Sequence, residues 1–271
     1  MDRDVFQPSH VLLTHETCLA SACLASGLNA LRRSGLQDKG AIYGALFNLS
    51  IGIERLLKAT YVIDHMLKNK FAVPADKKLR NFGHDVLGLY DECSRNSQDE
   101  DVKLPRASEL DGITYSIVKM LGDFALRSRY FNIDALNKTP ADPDPLVQLS
   151  SIFWAILDER VSVNVSYQVI RRARFLTERI GGKLIVRGVG LNSKPLTIAE
   201  ALSHPVFHEK AAKYAVLRVV EFLWPIRDLL THYSMKAHCL DSHEAHIPEM
   251  WEFLTWLGED RKSVLRKKKW P

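Results

Sequence analysis

The feature that most constrains this chain is a stripe of apolar residues between Gly40 and Lys70. Its members recur every three or four positions and are Leu46, Leu49, Ile53, Leu56, Leu57, Ile63 and Leu67. This spacing matches the turn of an α-helix, so these side chains share one face. The sequence therefore predicts one long helix here, which packs its apolar face against the rest of the protein.

Helical patterns also cover most of the remaining sequence. A Leu- and Ala-rich segment from Val11 to Arg33 ends at the stop signal Ser34-Gly35, and polar residues 96–101 indicate a loop. Further helices are predicted over 77–94, between 108 and 139, over 147–180, from a cap at Thr197 to before Pro205, over 208–238 with an interruption at Pro225, and over 248–257. Lys183 to Val189, rich in β-branched residues, favours a strand. We predict an all-α fold with at most one short β-hairpin.

The bulk composition bounds the class of protein. A chain of 271 residues can bury a core of its own, and its four cysteines form no C-x-x-C pair, so neither a disulfide framework nor a zinc ribbon is indicated. The first four residues lack the pattern of a secretory signal. Apolar stretches such as Ala41 to Ile53 fall short of the roughly 20 residues that cross a bilayer. We predict a cytoplasmic protein with no membrane partner.

The positive charge is concentrated near the C-terminus. The formal net charge is +5, and residues 261–271 carry six basic side chains, which leaves −1 for residues 1–260. This basic tail is either a solvated, fraying end or an arm whose Lys267, Lys268 and Lys269 contact phosphates. A second basic group, which includes Arg171, Arg172 and Arg174, is either a solvated helix end or a contact for RNA backbone.

Three polar side chains, Arg227, Asp228 and His232, interrupt an otherwise apolar helical segment. On a helix, Asp228 and His232 lie about 40° apart, so the carboxylate can orient the imidazole. Arg227 lies roughly 140° from His232, so the two share a pocket only through the long arginine side chain or across a two-fold interface. An imidazole moves protons near neutral pH and a guanidinium holds phosphate oxygens, so the trio suits metal-free phosphodiester cleavage. A purely structural helix surface is the alternative.

Two further motifs precede this trio along the chain. Ile53 to Lys58 places an acidic residue before a Leu-Lys pair, and Gly83-His84-Asp85 opens the next helical segment. The arginine, polar residue and histidine of 227–232, in this order after the other two motifs, resemble the HEPN superfamily. More than 100 residues separate Tyr90 from Arg227, which a compact HEPN domain would not need. We therefore predict one HEPN-like helical domain over 1–260, with an inserted helical region at about 96–205.

The resemblance implies an antiparallel helical bundle that pairs two-fold, so that two copies of the motif form one composite ribonuclease site. Arg227 would bind the scissile phosphate, His232 would transfer a proton or contact the phosphate, and Asp228 would orient one of them. The residues in supporting positions would be Glu54, His84, Thr231 and Tyr233. RNA, a second copy of the chain and an antitoxin or regulatory protein are the implied partners, in a toxin or antiviral setting and without a cofactor.

Simpler readings stay open for several of these residues. His84 can be structural, and Glu54 can be a partly buried partner of Arg55 or Lys58. A dense set of potential metal ligands matches no recognised zinc spacing, so we predict no metal; the set is His238, Cys239, Asp241, His243, Glu244 and His246. The alternative function is a non-catalytic helical module that binds a nucleotide, RNA or a protein partner.

Overall fold

The fold is all-α, as the sequence predicts, in a computed structural model that describes residues 5–137, 143–180, 185–240 and 244–271. The helices of these residues are α1 (Pro8–Arg33), α2 (Lys39–Lys68), α3 (Asp76–Phe82), α4 (Val86–Asn96), α5 (Gly112–Leu126), α6 (Phe131–Leu136), α7 (Pro145–Arg160), α8 (Val163–Ile180), α9 (Ile198–Leu240) and α10 (Arg261–Arg266). Two strands of two residues each, β1 (Val5–Phe6) and β2 (Glu244–Ala245), pair in parallel. The long helices predicted from the apolar stripe and from the Leu- and Ala-rich segment are confirmed as α2 and α1.

Helices α1 and α2 form an antiparallel hairpin whose contact depends on two glycines. A Cβ atom on Gly27 of α1 would lie 2.7 Å from Cγ of Leu49, and one on Gly52 of α2 would lie 2.7 Å from Cγ of Leu24. Carbon atoms do not tolerate such distances, so each glycine makes room for a leucine of the opposite helix. Both leucines are buried, and the two backbones therefore approach closely along this seam.

Helix α1 is also the described helix that is long and apolar enough, by length and composition, to cross a membrane. One face of it packs into the protein core through Leu13, Ala20, Leu24 and Leu28. The core helices of soluble proteins pass the same test of length and composition. The cytoplasmic location therefore stays a prediction.

Helix α9 spans 43 residues and passes through the same core. The helix ends predicted at Pro205 and Pro225 are wrong, because both prolines lie inside α9. Proline already has a helical φ and costs the helix one backbone hydrogen bond together with a local clash. Buried side chains on both sides of Pro225, Phe222, Leu223, Ile226 and Leu229, offset that cost.

The region from about 96 to 205 contributes to the hydrophobic core that α1, α2 and α9 share. Helix α5 buries Leu121 and Phe124, and helix α7 buries Leu149 and Phe153 in one continuous cluster. Helix α8 contributes less, because Ala173 is its one buried residue. The region therefore includes helices on which the core depends as well as a more peripheral one.

Two segments predicted as single helices are each divided in two. The first divides at Gly83, whose φ of +50° ends α3, and Asp85 then caps α4 by accepting a hydrogen bond from the backbone N–H of Gly88. The second divides at Val161, whose extended backbone separates α7 from α8. Apolar residues continue across both breaks, so periodicity alone does not reveal them.

The strand predicted at Lys183 to Val189 is wrong for the residues of this segment that the structure describes. Lys183 and Leu184 lie outside the described residues, and Ile185 to Val189 form no strand. Val189 makes an isolated antiparallel bridge with Pro195. A β-branched segment needs a neighbouring strand to complete its backbone hydrogen bonds. Residues 185–188 are paired with no strand or bridge.

The basic C-terminal segment is packed on the protein, so the expected fraying end is wrong, although most of its basic side chains are exposed. Met250–Leu257 form a 3₁₀-helix where an α-helix was predicted, and α10 follows. Trp270 is only 1% exposed. Its backbone N–H donates to Oδ1 of Asn29 over 2.8 Å, and its carbonyl accepts from Nδ2 of Asn29 over 3.1 Å. Burial of the indole holds the segment against α1.

Candidate active-site cleft

A cleft of about 330 Å³ lies between α2, the turn before α4 and the end of α5, with Glu16 of α1 at its edge. Apolar side chains form part of its wall, and they include Phe47, Ile51 and Phe124. Its charged and titratable side chains are Glu16, Glu54, Arg55, Lys58, His84 and Arg129. The volume is within the range of about 300–1,000 Å³ that accommodates small ligands.

The cleft is built around Glu54, a buried carboxylate on α2. Lys58, one turn later, donates to Oε1 of Glu54 over 2.6 Å, and Nδ1 of His84 lies 2.9 Å from Oε2. Lys58 also donates to the carbonyl oxygen of Gly83 over 2.9 Å. Helix α2 therefore holds both the backbone and the side chain of the Gly83-His84 turn. We call Glu54, Lys58 and His84 the cleft triad; its Glu54–Lys58 pair is the one that the i,i+4 spacing predicts.

The hydrogen bond to Glu54 determines which nitrogen of His84 carries the proton. An ionised carboxylate only accepts, so Nδ1 is the donor and Nε2 of the neutral ring keeps a lone pair. The His84 side chain is 47% exposed, whereas that of Glu54 is 11% exposed. A buried carboxylate thus orients an accessible imidazole, which is the arrangement of a general base.

Two arginines bring positive charge to the same cleft. Arg55 forms an ion pair with Glu16 over 2.5 Å, and both side chains are partly exposed. Arg129 stacks over the ring of Tyr130 at 5.1 Å, and no ion pair within the described ranges involves it. The Arg129 guanidinium can therefore pair with an anion in the cleft without first losing a carboxylate.

The predicted catalytic arginine is engaged within its own chain. Arg227 donates to the adjacent Asp228 over 2.6 and 2.9 Å and to the carbonyl oxygen of Leu257 over 2.7 Å. Thr231 donates its hydroxyl to the carbonyl of Arg227. Arg227 thus fixes the end of the 3₁₀-helix against α9, while half of the Asp228 side chain remains exposed.

The predicted catalytic histidine faces a different part of the molecule. Nε2 of His232 lies 3.1 Å from Oε2 of Glu100, in the loop after α4, and Lys236 donates to both oxygens of Glu100 over 2.8 and 2.9 Å. We call Glu100, His232 and Lys236 the loop triad. Burial raises the pKa of the Glu100 carboxyl, but the hydrogen bonds from Lys236 and His232 outweigh it, so this pKa lies below its ordinary value. Arg227 and His232 therefore share no partner among the described residues of a single copy.

Tyr233 is buried beside the loop triad and belongs to the core. Its hydroxyl donates to Oδ1 of Asp64 over 3.1 Å. Burial, followed by the charge of Asp64, raises the pKa of Tyr233 well above its usual range. The phenol therefore stays protonated and acts as a hydrogen-bond donor between α9 and α2.

The basic side chains proposed for RNA contact are distributed over two surfaces. Arg171, Arg172 and Arg174 are exposed on α8. In the C-terminal segment, Lys267 pairs with Glu259, Lys268 lines a separate cavity, and Lys269 is exposed. Neither group lines the cleft.

Across the part of the chain that the structure describes, no group of three or more His, Cys, Asp or Glu side chains is arranged to hold a metal ion. Asp241 and His243, from the dense set in the sequence, lie outside that part. Nε2 of His246 lies 3.7 Å from Oε2 of Glu244 at the edge of the β1–β2 pair.

No protein family, curated protein or solved structure with which we compared this chain matches it. The resemblance to the HEPN superfamily therefore depends on the three motifs alone, and the superfamily's specific helix arrangement stays a prediction.

Sequence reasoning named the residues of the cleft triad and the Glu54–Lys58 pair, but it did not find the contact of His84 with Glu54 or that of His232 with Glu100. Glu54 and His84 are 30 residues apart, and Glu100 and His232 are 132 residues apart, so each contact depends on the tertiary fold. The glycine before His84 was the available signal in the sequence, because glycine readily takes a positive φ, here +50°, and so can present the imidazole from a tight turn. Nothing in the spacing of Glu100 or Arg129 indicates their positions.

Proposed function

We propose that this protein cleaves RNA without a metal ion and that the reaction takes place in the cleft at His84. One observation carries the proposal: an accessible imidazole, oriented through Nδ1 by buried Glu54, lies in a cleft that also contains Arg55 and Arg129. The proposal is also supported by the position of Glu54 and His84 within two of the three motifs that resemble HEPN proteins.

In the proposed reaction, Nε2 of His84 takes the proton of the ribose 2′-hydroxyl. The 2′-oxygen then forms a bond to the adjacent phosphorus, and the bond from phosphorus to the 5′-oxygen breaks. The leaving 5′-oxygen takes a proton from water, and the resulting hydroxide takes the proton from Nε2 of His84, which gives a 2′,3′-cyclic phosphate, a 5′-hydroxyl and the neutral imidazole. Arg129 and Arg55 stabilise the negative charge that develops on the phosphate oxygens. Glu54 stabilises the imidazolium that forms.

The test is incubation of the purified protein with mixed cellular RNA in excess EDTA, beside a His84→Ala variant. General base catalysis contributes about 10²–10⁴-fold, so we expect the variant to lose at least about 100-fold in rate. His15→Ala is the matched control, because His15 is exposed on α1 and does not line the cleft. Unchanged cleavage by His84→Ala would place the reaction elsewhere, and binding of RNA without cleavage by the wild type would favour a non-catalytic module.

A second pair of variants tests the role of the cations. Arg129→Ala should weaken cleavage, whereas Arg127→Ala should not, because Arg127 pairs with Asp123 and does not line the cleft. The products should carry cyclic phosphate ends that a phosphatase cannot remove. Linear 3′-phosphates from the first turnover onward would contradict the proposed reaction.

The alternative location is the composite site that the resemblance implies, with Arg227, Asp228 and His232 contributed by two copies of the chain. It is favoured by the exposure of Asp228 and by the carboxylate that orients His232. In this version the protein is a homodimer that acts in a toxin or antiviral setting under an antitoxin or regulatory protein. Loss of cleavage in His232→Ala but not in His84→Ala, together with a dimeric mass by light scattering, would establish it over the cleft.

A further inference from the structure

A second cavity, of about 540 Å³, lies between the end of α1, the first third of α9 and the C-terminal segment. Arg32 and Arg33 come from α1, His208 and Glu209 from α9, and Lys268 from the segment after α10. Leu36 and Pro205 add apolar wall. The cavity therefore joins three parts of the chain that are far apart in sequence, and its side chains carry mainly positive charge.

The cations of this cavity have no carboxylate partner in an ion pair among the described residues. Within the described residues, no ion pair involves Arg32, Arg33 or Lys268. Arg33 donates from Nε to the carbonyl oxygen of Lys268 at 3.5 Å, which brings the C-terminal segment to α1 without using a carboxylate. Three positive charges and the one negative charge of Glu209 give the cavity a net charge of +2 with His208 neutral.

Two residues that line the cavity each have a buried nitrogen atom without a hydrogen-bond partner among the described residues. Nε of Arg32 and Nδ1 of His208 are buried and have no hydrogen-bond partner among the described residues. The His208 residue is only 4% exposed, and its Nε2 lies 3.3 Å from the hydroxyl of Ser34. Buried polar groups in proteins are nearly always hydrogen-bonded, so each of these residues has one nitrogen available to an ordered water or to a polar ligand that reaches it.

We propose that this cavity binds a terminal phosphomonoester, borne either by a free nucleotide or by the 5′ end of an RNA strand. A terminal phosphate carries about −1.5 to −2 charges at neutral pH, which matches the net charge of the cavity. A backbone phosphodiester carries a single charge and would leave part of the cationic wall unpaired. Pro205, an exposed apolar residue of the wall, provides a surface on which the adjoining nucleoside would lie.

The phosphate site is separate from the cleft and does not depend on its activity. The register of the α1–α2 hairpin places Ser34 near Ile42, and Glu54 is twelve residues further along α2, or about 18 Å at the helical rise. A ligand in one cavity therefore leaves the other accessible. Binding at Lys268 and cleavage at His84 can be measured independently.

Isothermal titration with inorganic phosphate, AMP and adenosine tests the proposal. We expect phosphate and AMP to bind and adenosine not to bind. Lys268→Ala should weaken AMP binding about tenfold, the effect of removing one charged hydrogen bond. Arg33→Ala, a second exposed position, should act in the same direction. Lys269→Ala is the matched control, because Lys269 is the exposed neighbour of Lys268 and does not line the cavity.

The source of the phosphate is distinguished with short RNA strands, offered to His84→Ala protein with a 5′-phosphate or a 5′-hydroxyl. A preference for the 5′-phosphate identifies RNA ends as ligands, and binding of AMP alone identifies a free nucleotide. Equal binding of AMP and adenosine, equal loss in Lys268→Ala and Lys269→Ala, or no binding of any probe at millimolar concentration would overturn the proposal. None of these outcomes depends on whether the wild type cleaves RNA.

Discussion

The cleft triad and the loop triad contain the same three residue types but differ in which one comes from outside the helix. In the cleft triad, α2 supplies the carboxylate and the lysine while a turn supplies His84; in the loop triad, α9 supplies His232 and the lysine while a loop supplies Glu100. An imidazole on a turn projects into the cleft and is 47% exposed, whereas His232 on a core helix is 21% exposed. The same pairing chemistry therefore gives an accessible base in one place and a link between elements in the other.

The largest expected difference between the triads is catalytic. Glu54→Gln keeps the shape of the side chain but removes the charge that orients His84, so RNA cleavage should slow by about 100-fold. Glu100→Gln, the matched change in the loop triad, should alter the rate by less than about twofold. Initial rates of cleavage in EDTA measure both. The reverse ranking would contradict the proposed site and favour the composite one.

A smaller effect is expected from the turn that presents His84. Gly83 has a φ of +50°, and a Cβ there would meet no atom within 4 Å, so Gly83→Ala adds backbone strain without a clash. We expect a loss of about 1–2 kcal/mol in the free energy of unfolding, measured with urea, and slower cleavage. Gly44→Ala is the control, and it should raise the free energy of unfolding. Gly44 lies inside α2, a Cβ there would meet no atom within 4 Å, and alanine favours the helix. A stabilised Gly83→Ala protein would show that the turn is not held as described.

The smallest effect concerns the loop triad in acid. The pKa of Glu100 is lowered in the folded protein, so the unfolded chain binds the proton first and the stabilisation is lost as the pH falls from the ordinary value of 4.5 through the lowered one. Glu100→Gln should therefore destabilise the protein most near neutral pH. Its difference from wild type should shrink in acid by up to about 1.4 kcal/mol per pH unit. Urea unfolding between about pH 3 and 6 measures this difference. A difference that does not vary with pH would mean that folding leaves the pKa of Glu100 unchanged.

Local sequence patterns were enough to predict α1, α2 and the Glu54–Lys58 pair, because apolar periodicity and i,i+4 spacing are properties of a single helix. The breaks at Gly83 and Val161 and the unbroken course of α9 through Pro225 depend on tertiary packing, which overrides local preference. Burial of Trp270 against Asn29 likewise depends on a contact between distant parts of the chain.

In the candidate site, too, local sequence patterns were predictable and tertiary contacts were not. The residue types of both triads were visible in the sequence, but the contacts that give them a role join residues 30 and 132 positions apart. The two cavities depend still more on the fold, because each combines side chains from at least three elements. The resemblance implied a site that Arg227 and His232 share across two copies, whereas in a single copy Arg227 contacts Leu257 and His232 contacts Glu100.

Gly27 of α1 and Gly52 of α2, which let the two helices pack closely, have a consequence for the order of folding. The seam between the two helices joins residues that are close in sequence, so its loop-closure entropy is small and it can form before the long-range contacts of α9. Glu54 and Lys58 would then be in register before the Gly83-His84 turn reaches them. A residue larger than glycine at position 27 should therefore slow refolding more than it speeds unfolding.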